Sequence, residues 1–298
     1  MSTGADSLIK KLEELKREEE SLPQILEFYE KLLRIQTRVG QCISVPNPSS
    51  RSEAISKHPE QGKPLITFDG LALDWVLLRD TFEEVATLFA EYPELFGAVP
   101  EELMGSGAKR FPTKKVVKAW FKGAKLPPSI LTKDVDENLI VAIIHATLKP
   151  FLVSHAKTLI DSIDQERWRR SYCPVCGGSP DFAFLDKERG SRWLLCSRCD
   201  TEWLFQRLQC PYCGTQDQNA LAYFTDDKGL YRLYVCEQCK RYLKVIDLRQ
   251  AESEILLPLE RLYTLDIDRQ AQEQGYNPYD KATTVKEDAD TTGRTKKS

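Results

Sequence analysis

Eight of the nine cysteines in this chain fall between Tyr172 and Leu248, set as four C-x-x-C pairs: Cys173/Cys176, Cys196/Cys199, Cys210/Cys213 and Cys236/Cys239. A C-x-x-C turn aims two sulfurs at one point, and two such turns supply four thiolates to one ion in a tetrahedron. The first two pairs read C-x2-C-x19-C-x2-C and the last two C-x2-C-x22-C-x2-C, at or just beyond the usual spacing of a four-cysteine metal site. The stretch also repeats itself. Cys173-Pro174-Val175-Cys176-Gly177 returns as Cys210-Pro211-Tyr212-Cys213-Gly214, and Arg192-Trp193-Leu194-Leu195-Cys196 returns as Arg232-Leu233-Tyr234-Val235-Cys236. Two copies of one supersecondary unit follow, that is, two metal-bound ribbons in tandem. Sequential pairing of the cysteines into sites is the expectation, and interleaved pairing stays open. Ten residues separate Cys199 from Cys210, so the ribbons must touch. Gly177 and Gly214 can take positive φ and close their knuckles tightly. Asp200 and Lys240 hold the same place in the other two knuckles, which must close differently or under strain.

Two other uses of paired cysteines fit less well. The chain opens Met1-Ser2-Thr3 with no apolar signal segment. A reducing cytoplasm is the expectation, where paired thiols hold metal rather than form disulfides. A thioredoxin-type redox motif needs a surrounding βαβ pattern, which is missing here. Four thiolates suit zinc or iron. Zinc in a complete tetrahedron has no open position and would be structural; iron in the same cage, as in rubredoxin, can accept an electron. Each loaded site carries a charge of about −2. Arg192, Arg198, Arg207, Arg232, Lys240 and Arg241 lie close enough in sequence to offset it.

A zinc ribbon invites a nucleic-acid reading, so the charge matters. Residues 171–249 hold eleven Lys or Arg against ten Asp or Glu, and two loaded centres turn the balance acidic. A nucleic-acid module wants a strong positive field. Trp193, Trp203, Tyr212, Tyr231 and Tyr234 are accordingly read as packing for the ribbon hairpins. No catalytic constellation, phosphate loop or open metal position is evident, so the chain does not read as an enzyme. No run reaches the length of apolar residues that a membrane span needs. The richest, Leu139 to Val153, is broken by His145, Lys149 and Pro150.

The rest of the chain reads as helical. Leu8, Leu12 and Leu15 keep helical spacing, with Lys16 to Glu20 as a solvated face. Pro23 suits the start of a second helix carrying Ile25, Leu26, Phe28, Tyr29, Leu32 and Leu33. Residues 40–68 are mostly loop, with Cys42 as a lone half-buried thiol and His58 in the open. From Asp69 to Tyr92 an apolar face runs through Leu73, Val76, Leu77, Phe82, Val85, Leu88 and Phe89. A shorter helix over Thr113–Lys122 buries Val116, Val117 and Trp120. Asp134 or Asp136 caps a long apolar helix through Ile160, which Pro150 should kink or split. His145 and His155 share roughly one face of it, read as packing rather than as a ligand pair. Strands are expected at Ser191–Leu195, Glu202–Arg207, Leu221–Phe224, Tyr231–Val235 and Arg241–Ile246, then one helix from Leu256 to Ala271.

The fold class is therefore α+β. An all-α N-terminal helical domain (1–168) precedes two rubredoxin-like or zinc-ribbon modules (169–208 and 209–249), a C-terminal helix (250–279) and a disordered tail (280–298).

One resemblance goes further. The run Cys173-Pro174-Val175-Cys176-Gly177-Gly178-Ser179-Pro180, with Arg192 to Cys199, Trp203, Arg207, Cys210 to Gly214, Cys236 to Lys244 and Asp247, resembles the FdhE family of formate dehydrogenase accessory proteins. Leu265-Asp266 and Gly275-Tyr276 resemble that family's C-terminus, and Gly62-Lys63-Pro64-Leu65 its N-terminal motif. The resemblance implies a cytoplasmic, chaperone-like assembly factor. It would bind the catalytic subunit of a respiratory formate dehydrogenase before export, and homodimerisation stays open. It implies two metal ions, iron or zinc, on Cys173, Cys176, Cys196, Cys199, Cys210, Cys213, Cys236 and Cys239. A partner surface is expected around Arg192, Trp193, Arg198 and Trp203, where the ribbons meet the helices. The alternatives are a rubredoxin-like electron carrier and a nucleic-acid-binding ribbon.

Overall fold

The computed structural model describes residues 9–11, 24–45, 59–105, 111–127 and 136–279. The expectations for Leu12 to Glu20, His58, Asp134 and the tail from 280 lie outside those residues.

Three helices make the N-terminal bundle: α1 (Gln24–Cys42), α2 (Trp75–Ala90) and, after the short α3 (Lys114–Phe121), α4 (Glu137–Lys157). Their starts are set by side chains that satisfy the first free backbone donors. Asp74 accepts from Val76 and Leu77 N–H, Thr113 from Val116, and Asp136 from Asn138. The α2 helix starts later than its apolar spacing suggests, because Asp74 caps it, and its inward face is Leu78, Phe82, Val85 and Phe89. Val76 points outward.

The α4 helix is long and apolar enough to cross a bilayer, but most of it is buried against α1 and α2. Pro150 leaves it in one piece. A proline removes the amide that would bond the carbonyl four residues back. Here the Gln36 side chain donates to that carbonyl, Ala146 C=O, at 2.8 Å. His145 and His155 bond separate backbone carbonyls, of Ser197 and Phe151, and are not a ligand pair. Cys42 is exposed rather than half-buried.

The cysteine-rich stretch forms one sheet of six strands in the order β3-β2-β1-β6-β5-β4. These are β1 (Pro180–Leu185), β2 (Arg192–Cys196), β3 (Glu202–Phe205), β4 (Leu221–Thr225), β5 (Tyr231–Cys236) and β6 (Arg241–Asp247). Each ribbon is a three-stranded antiparallel meander. The two join where β1 runs parallel to β6, from Phe182 opposite Lys244 to Leu185 opposite Asp247. Five strands match expectation; β1 was not foreseen. It is buried along nearly its whole length, so it shows no polar alternation to read.

The sheet is covered on both faces except at its outer strand β4. Ala183, Leu185, Leu194, Trp203, Phe205, Leu243 and Val245 join the helical bundle in one continuous core. On the other face Phe182, Phe184, Leu195 and Ile246 pack against Leu257, while Leu233, Val235 and Tyr242 meet Ile267 and Ala271. The expected C-terminal helix is two, α5 (Leu257–Tyr263) and α6 (Leu265–Glu273), broken at Thr264. The expected boundaries at 168/169 and 208/209 therefore cross a shared core and a continuous sheet.

Candidate metal centres

The cysteines gather sequentially: Cys173, Cys176, Cys196 and Cys199 in one group, and Cys210, Cys213, Cys236 and Cys239 in the other. Within each group all sulfurs lie within 4.8 Å of one another. Cys173–Cys199 and Cys176–Cys196 are 3.6 and 3.5 Å apart, Cys210–Cys239 and Cys213–Cys236 both 3.7 Å. A tetrahedron with metal–sulfur bonds of about 2.3 Å has sulfur–sulfur edges of about 3.8 Å. The donor set and its size therefore fit one divalent ion per group, and all eight thiols are free of disulfides.

All four knuckles close alike. Gly177, Gly214, Asp200 and Lys240 have φ of 72°, 79°, 56° and 53°. Their N–H groups donate back to Cys173, Cys210, Cys196 and Cys236 C=O at 3.0, 3.0, 3.3 and 2.8 Å. The expected different closure at Asp200 and Lys240 is not found: two non-glycine residues accept the left-handed conformation instead, at about 1–2 kcal/mol each. Val175, Arg198 and Tyr212 N–H point at Cys173, Cys196 and Cys210 Sγ, each at 3.4 Å. Such donors spread the charge of a loaded cage.

The thiols are poised for a cation. Burial pushes Cys173 and Cys199 well up, and their sulfur neighbours add to it. Burial also opposes ionisation of Cys196, but hydrogen bonds from Cys173, Cys176 and Cys199 outweigh it and hold that thiol well below its usual range. In the second group burial pushes Cys210 up to about 11 and Cys239 higher still. Slight burial pushes Cys213 up, but the Thr215 N–H and the hydrogen bonds of Cys236, Cys210 and Cys239 outweigh it and hold the thiol below its usual range. Four thiolates do not coexist in so small a space without positive charge at the centre.

The first centre is built into the molecule. Leu65 and Ile66 N–H donate to Pro174 and Val175 C=O at 2.9 and 2.8 Å. The Gly62–Leu65 motif thus lies against the first knuckle, with Tyr172 Oη donating to Gly62 C=O at 2.7 Å. Asp200, inside the second knuckle, takes Lys149 from α4 at 2.8 Å and Arg261 from α5 at 2.5 Å. Arg261 also holds Asp181 at 2.7 Å and donates to Cys196 C=O at 2.8 Å. Asp200 is held below the usual carboxylate range: burial opposes this, but Lys149 and Arg261 prevail. Arg261 stands 61 positions from Asp200 and 80 from Asp181, and no local pattern in the sequence points to it.

The partner surface expected at Arg192, Trp193, Arg198 and Trp203 needs correction. Arg192 and Arg198 are 2% exposed and Trp203 is 0% exposed. Arg198 donates to Phe121 and Trp120 C=O at 3.0 and 3.4 Å, and its guanidinium lies over the Trp120 ring. It thereby adds a donor to carbonyls at the end of α3. Arg192 bonds Gln206 and Gln209 C=O between the ribbons and lies near Phe205 and Tyr234. Burial lowers its pKa to about 10. Trp203 donates to Arg170 C=O, and the half-buried Trp193 stacks on Phe184 and donates to Asp186. Arg192, Arg198 and Trp203 join parts of the fold and offer almost no surface to a partner, while Trp193 stays half-buried.

The second centre has lighter cover. Cys213 is exposed and Cys239 half-buried. A C-terminal strap reaches it: Asn277 N–H donates to Lys240 C=O at 2.7 Å, and Tyr276 Oη bonds Glu237. Gly275-Tyr276 thus ends on the last knuckle, as Gly62–Leu65 ends on the first.

Comparison with known proteins agrees with this construction. The family domain described as "FdhE, central domain" matches residues 172–207, the span of the first centre. The Protein FdhE homolog of Aquifex aeolicus is 34% identical over 152 residues, 50% of this chain and 53% of that one. Protein FdhE of Escherichia coli O127:H6 is 30% identical over 112 residues, 36% of this chain and 35% of that one. The matched segments thus span about half or less of those relatives' length. The crystal structure of the FdhE protein from Pseudomonas aeruginosa superposes with a TM-score of 0.58, covering 92% of this chain and 91% of that one at 23% identity. That likeness carries the fold from the helical bundle through both ribbons. The shared fold, the matching central domain and the sequence identity to these proteins support the resemblance of this chain to FdhE.

Proposed function

We propose that this protein is an accessory factor for formate dehydrogenase. It binds the catalytic subunit in the cytoplasm before export and performs no reaction of its own. The observation that carries this reading is the cysteine framework: two four-sulfur cages on one sheet, in a chain similar to FdhE proteins. Cys173, Cys176, Cys196 and Cys199 would hold one ion, and Cys210, Cys213, Cys236 and Cys239 the other, zinc or iron. A bound ion neutralises the crowded thiolates and locks each pair of knuckles; iron would add a one-electron couple. The chain's own residues do the rest. Arg198, His145 and Lys149 fix the first cage to the helices, and the β1–β6 ladder transmits that rigidity to the second ribbon.

The test is gentle affinity purification of the tagged protein from cells grown on formate and nitrate, with partners identified by mass spectrometry. The expected result is enrichment of the formate dehydrogenase catalytic subunit, lost in a Cys173→Ser/Cys176→Ser double variant. Recovery of RNA or a reductase in its place would overturn the reading.

The exposure of Cys213 favours one second reading, electron exchange at the second centre. A reversible colour change of the iron-loaded protein, abolished by Cys213→Ser but not by a mock substitution at Cys42, would support it.

A further inference from the structure

The six-stranded sheet has two ends, and the fold treats them differently. Across the β3 edge lies Gln165. Its Oε1 accepts from Leu204 N–H at 3.1 Å and its Nε2 donates to Glu202 C=O at 3.4 Å. That side chain takes up backbone groups an added strand would use. At the β4 edge Leu221 N–H is taken by Gln218 C=O, and beyond it, among the described residues, nothing hydrogen-bonds the backbone of Ala222–Thr225 from outside the sheet. The strand reads Leu221-Ala222-Tyr223-Phe224-Thr225, with no charge and no proline. Free edges normally carry such protection, because unpaired N–H and C=O groups are a template for another chain. Tyr223 and Phe224 are 53% and 52% exposed, on opposite faces.

The internal repeat shows what this edge can do. β4 is the counterpart of β1: each lies between a C-P-x-C-G knuckle and the returning strand of its own ribbon. In the first ribbon the outer edge of that strand is covered by β6, in parallel. In the second ribbon no strand among the described residues covers the equivalent edge. The same interface is thus made once inside the molecule and left open once.

Beside the bare edge, on the face that carries Leu221 and Tyr223, lies a cavity of about 170 Å³. Leu208, Pro211, Tyr212, Tyr234 and Leu243 wall it, and Leu208 is 63% exposed. No carboxylate side chain lines the cavity, whereas Arg192, Arg207 and Arg241 do, beside Cys210 and Cys236 of the second centre. Three guanidinium charges outweigh the charge of about −2 on the loaded centre, so an occupant there is apolar, is not cationic, and tolerates a carboxylate.

From the bare edge, its covered counterpart and the cavity, we infer that β4 is a strand-addition site for an extended, apolar, neutral-to-acidic segment of a client polypeptide. The segment pairs in parallel with β4 and sets one side chain in the cavity. This rests on the assembly-factor reading, and it adds a constraint to it. Backbone groups are free to pair only in a segment the client has not yet folded away, and recognition through the main chain with a pocket for alternate side chains tolerates varied sequence.

The experiment uses the metal-loaded full chain with p-benzoylphenylalanine at position 223, at 208 or, as a control on another exposed apolar site, at 265. Each form is mixed with purified, cofactor-free formate dehydrogenase catalytic subunit, irradiated, and read by mass spectrometry. Hydrogen exchange of 222–225 is followed in parallel. Cross-links from 223 and 208 but not 265, protection of the β4 amides, and roughly tenfold weaker binding by Tyr223→Lys are expected. A complex that forms while β4 stays unprotected and cross-links only elsewhere overturns the inference and leaves the assembly reading standing. Cross-links from 223 to a second copy of this chain also overturn it, in favour of self-association. If no complex forms, the assembly reading falls. The edge is then judged with a labelled peptide of alternating valine and threonine ending in glutamate: binding lost in Tyr223→Lys upholds the site, and no binding overturns it.

Discussion

The first centre is held from three directions. The 62–66 segment backs its leading knuckle, α4 and α5 grip Asp200 in the other, and α3 receives Arg198. The second centre has the same sulfur geometry and the same knuckle closure, but among the described residues its knuckles are held by the strap through Tyr276 and Asn277 and by the neighbouring ribbon, with α6 packed on the strands behind. Its Cys213 faces solvent, and its outer strand β4 is exposed on both faces. One motif, copied within one chain, has thus been placed once in the main core and once at the rim. Ligand geometry is a local property; stability and access come from what surrounds it.

The largest difference should appear when each cage is broken. Cys176→Ser removes a ligand from a centre that shares the main core, so the whole fold should lose cooperativity. Structural four-ligand sites contribute on the order of 10 kcal/mol. Cys213→Ser should open only residues around 209–240. Thermal melts followed by circular dichroism, with limited proteolysis to locate the cuts, separate the two cases. Equal global loss from both variants would refute the comparison.

Metal removal comes next. A chelator should strip the cobalt-substituted protein in two phases, with the second centre at least ~10-fold faster, since it opens locally and the first does not. Acid should act in the same order. Protons compete with the ion for thiolates, so affinity falls as pH falls, and the exposed cage meets them first. Loss of the fast phase in Cys213→Ser would assign it. A single phase would show that the burial difference has no kinetic consequence.

A third test probes the link that the second centre lacks. Arg198→Ala gives up two hydrogen bonds and a ring contact at a buried position and should cost about 2–3 kcal/mol. Arg207→Ala, on the exposed side, should stay within ~0.5 kcal/mol. Chemical denaturation measures both. Gly178→Ala belongs with Arg198→Ala, because a Cβ there would sit 2.9 Å from Arg198 Cδ and 3.1 Å from Cys196 Sγ.

The smallest effect concerns the two strained knuckles. Lys240→Gly should relieve left-handed strain and stabilise the second ribbon by about 0.5–1 kcal/mol. Asp200→Gly should relieve the same strain yet destabilise, because the contacts to Lys149 and Arg261 go with the side chain. Slower metal loss in the first variant and faster loss in the second is the readout.

Much of this construction is legible in residues that act through neighbours a few positions away. The four C-x-x-C pairs, Asp136 as one of two candidate caps, the buried Val116, Val117 and Trp120, and five of the six strands follow from spacing and turn chemistry alone. The misreadings share a cause. β1 has no alternation because both its faces are covered; Thr264 breaks a helix that periodicity would continue; Arg192, Arg198 and Trp203 look like surface groups by type. Arginine is mostly exposed, and only the facing carbonyls of Phe121, Trp120, Gln206 and Gln209 make burial of these two tolerable.

By itself, then, the sequence determined the eight sulfurs and the helical or ribbon character of most segments, while the structure settled that the sulfurs group sequentially. The former depend on backbone turns of four residues and on periodicities of a few. Only the tertiary structure decided which ribbon enters the core, that β1 and β6 join the ribbons in parallel, and which sheet edge is left free. Those outcomes turn on contacts such as Arg261 with Asp181 and Gln165 with Leu204. Their partners are far apart along the chain, and their energies exist only once packing has excluded water from around them.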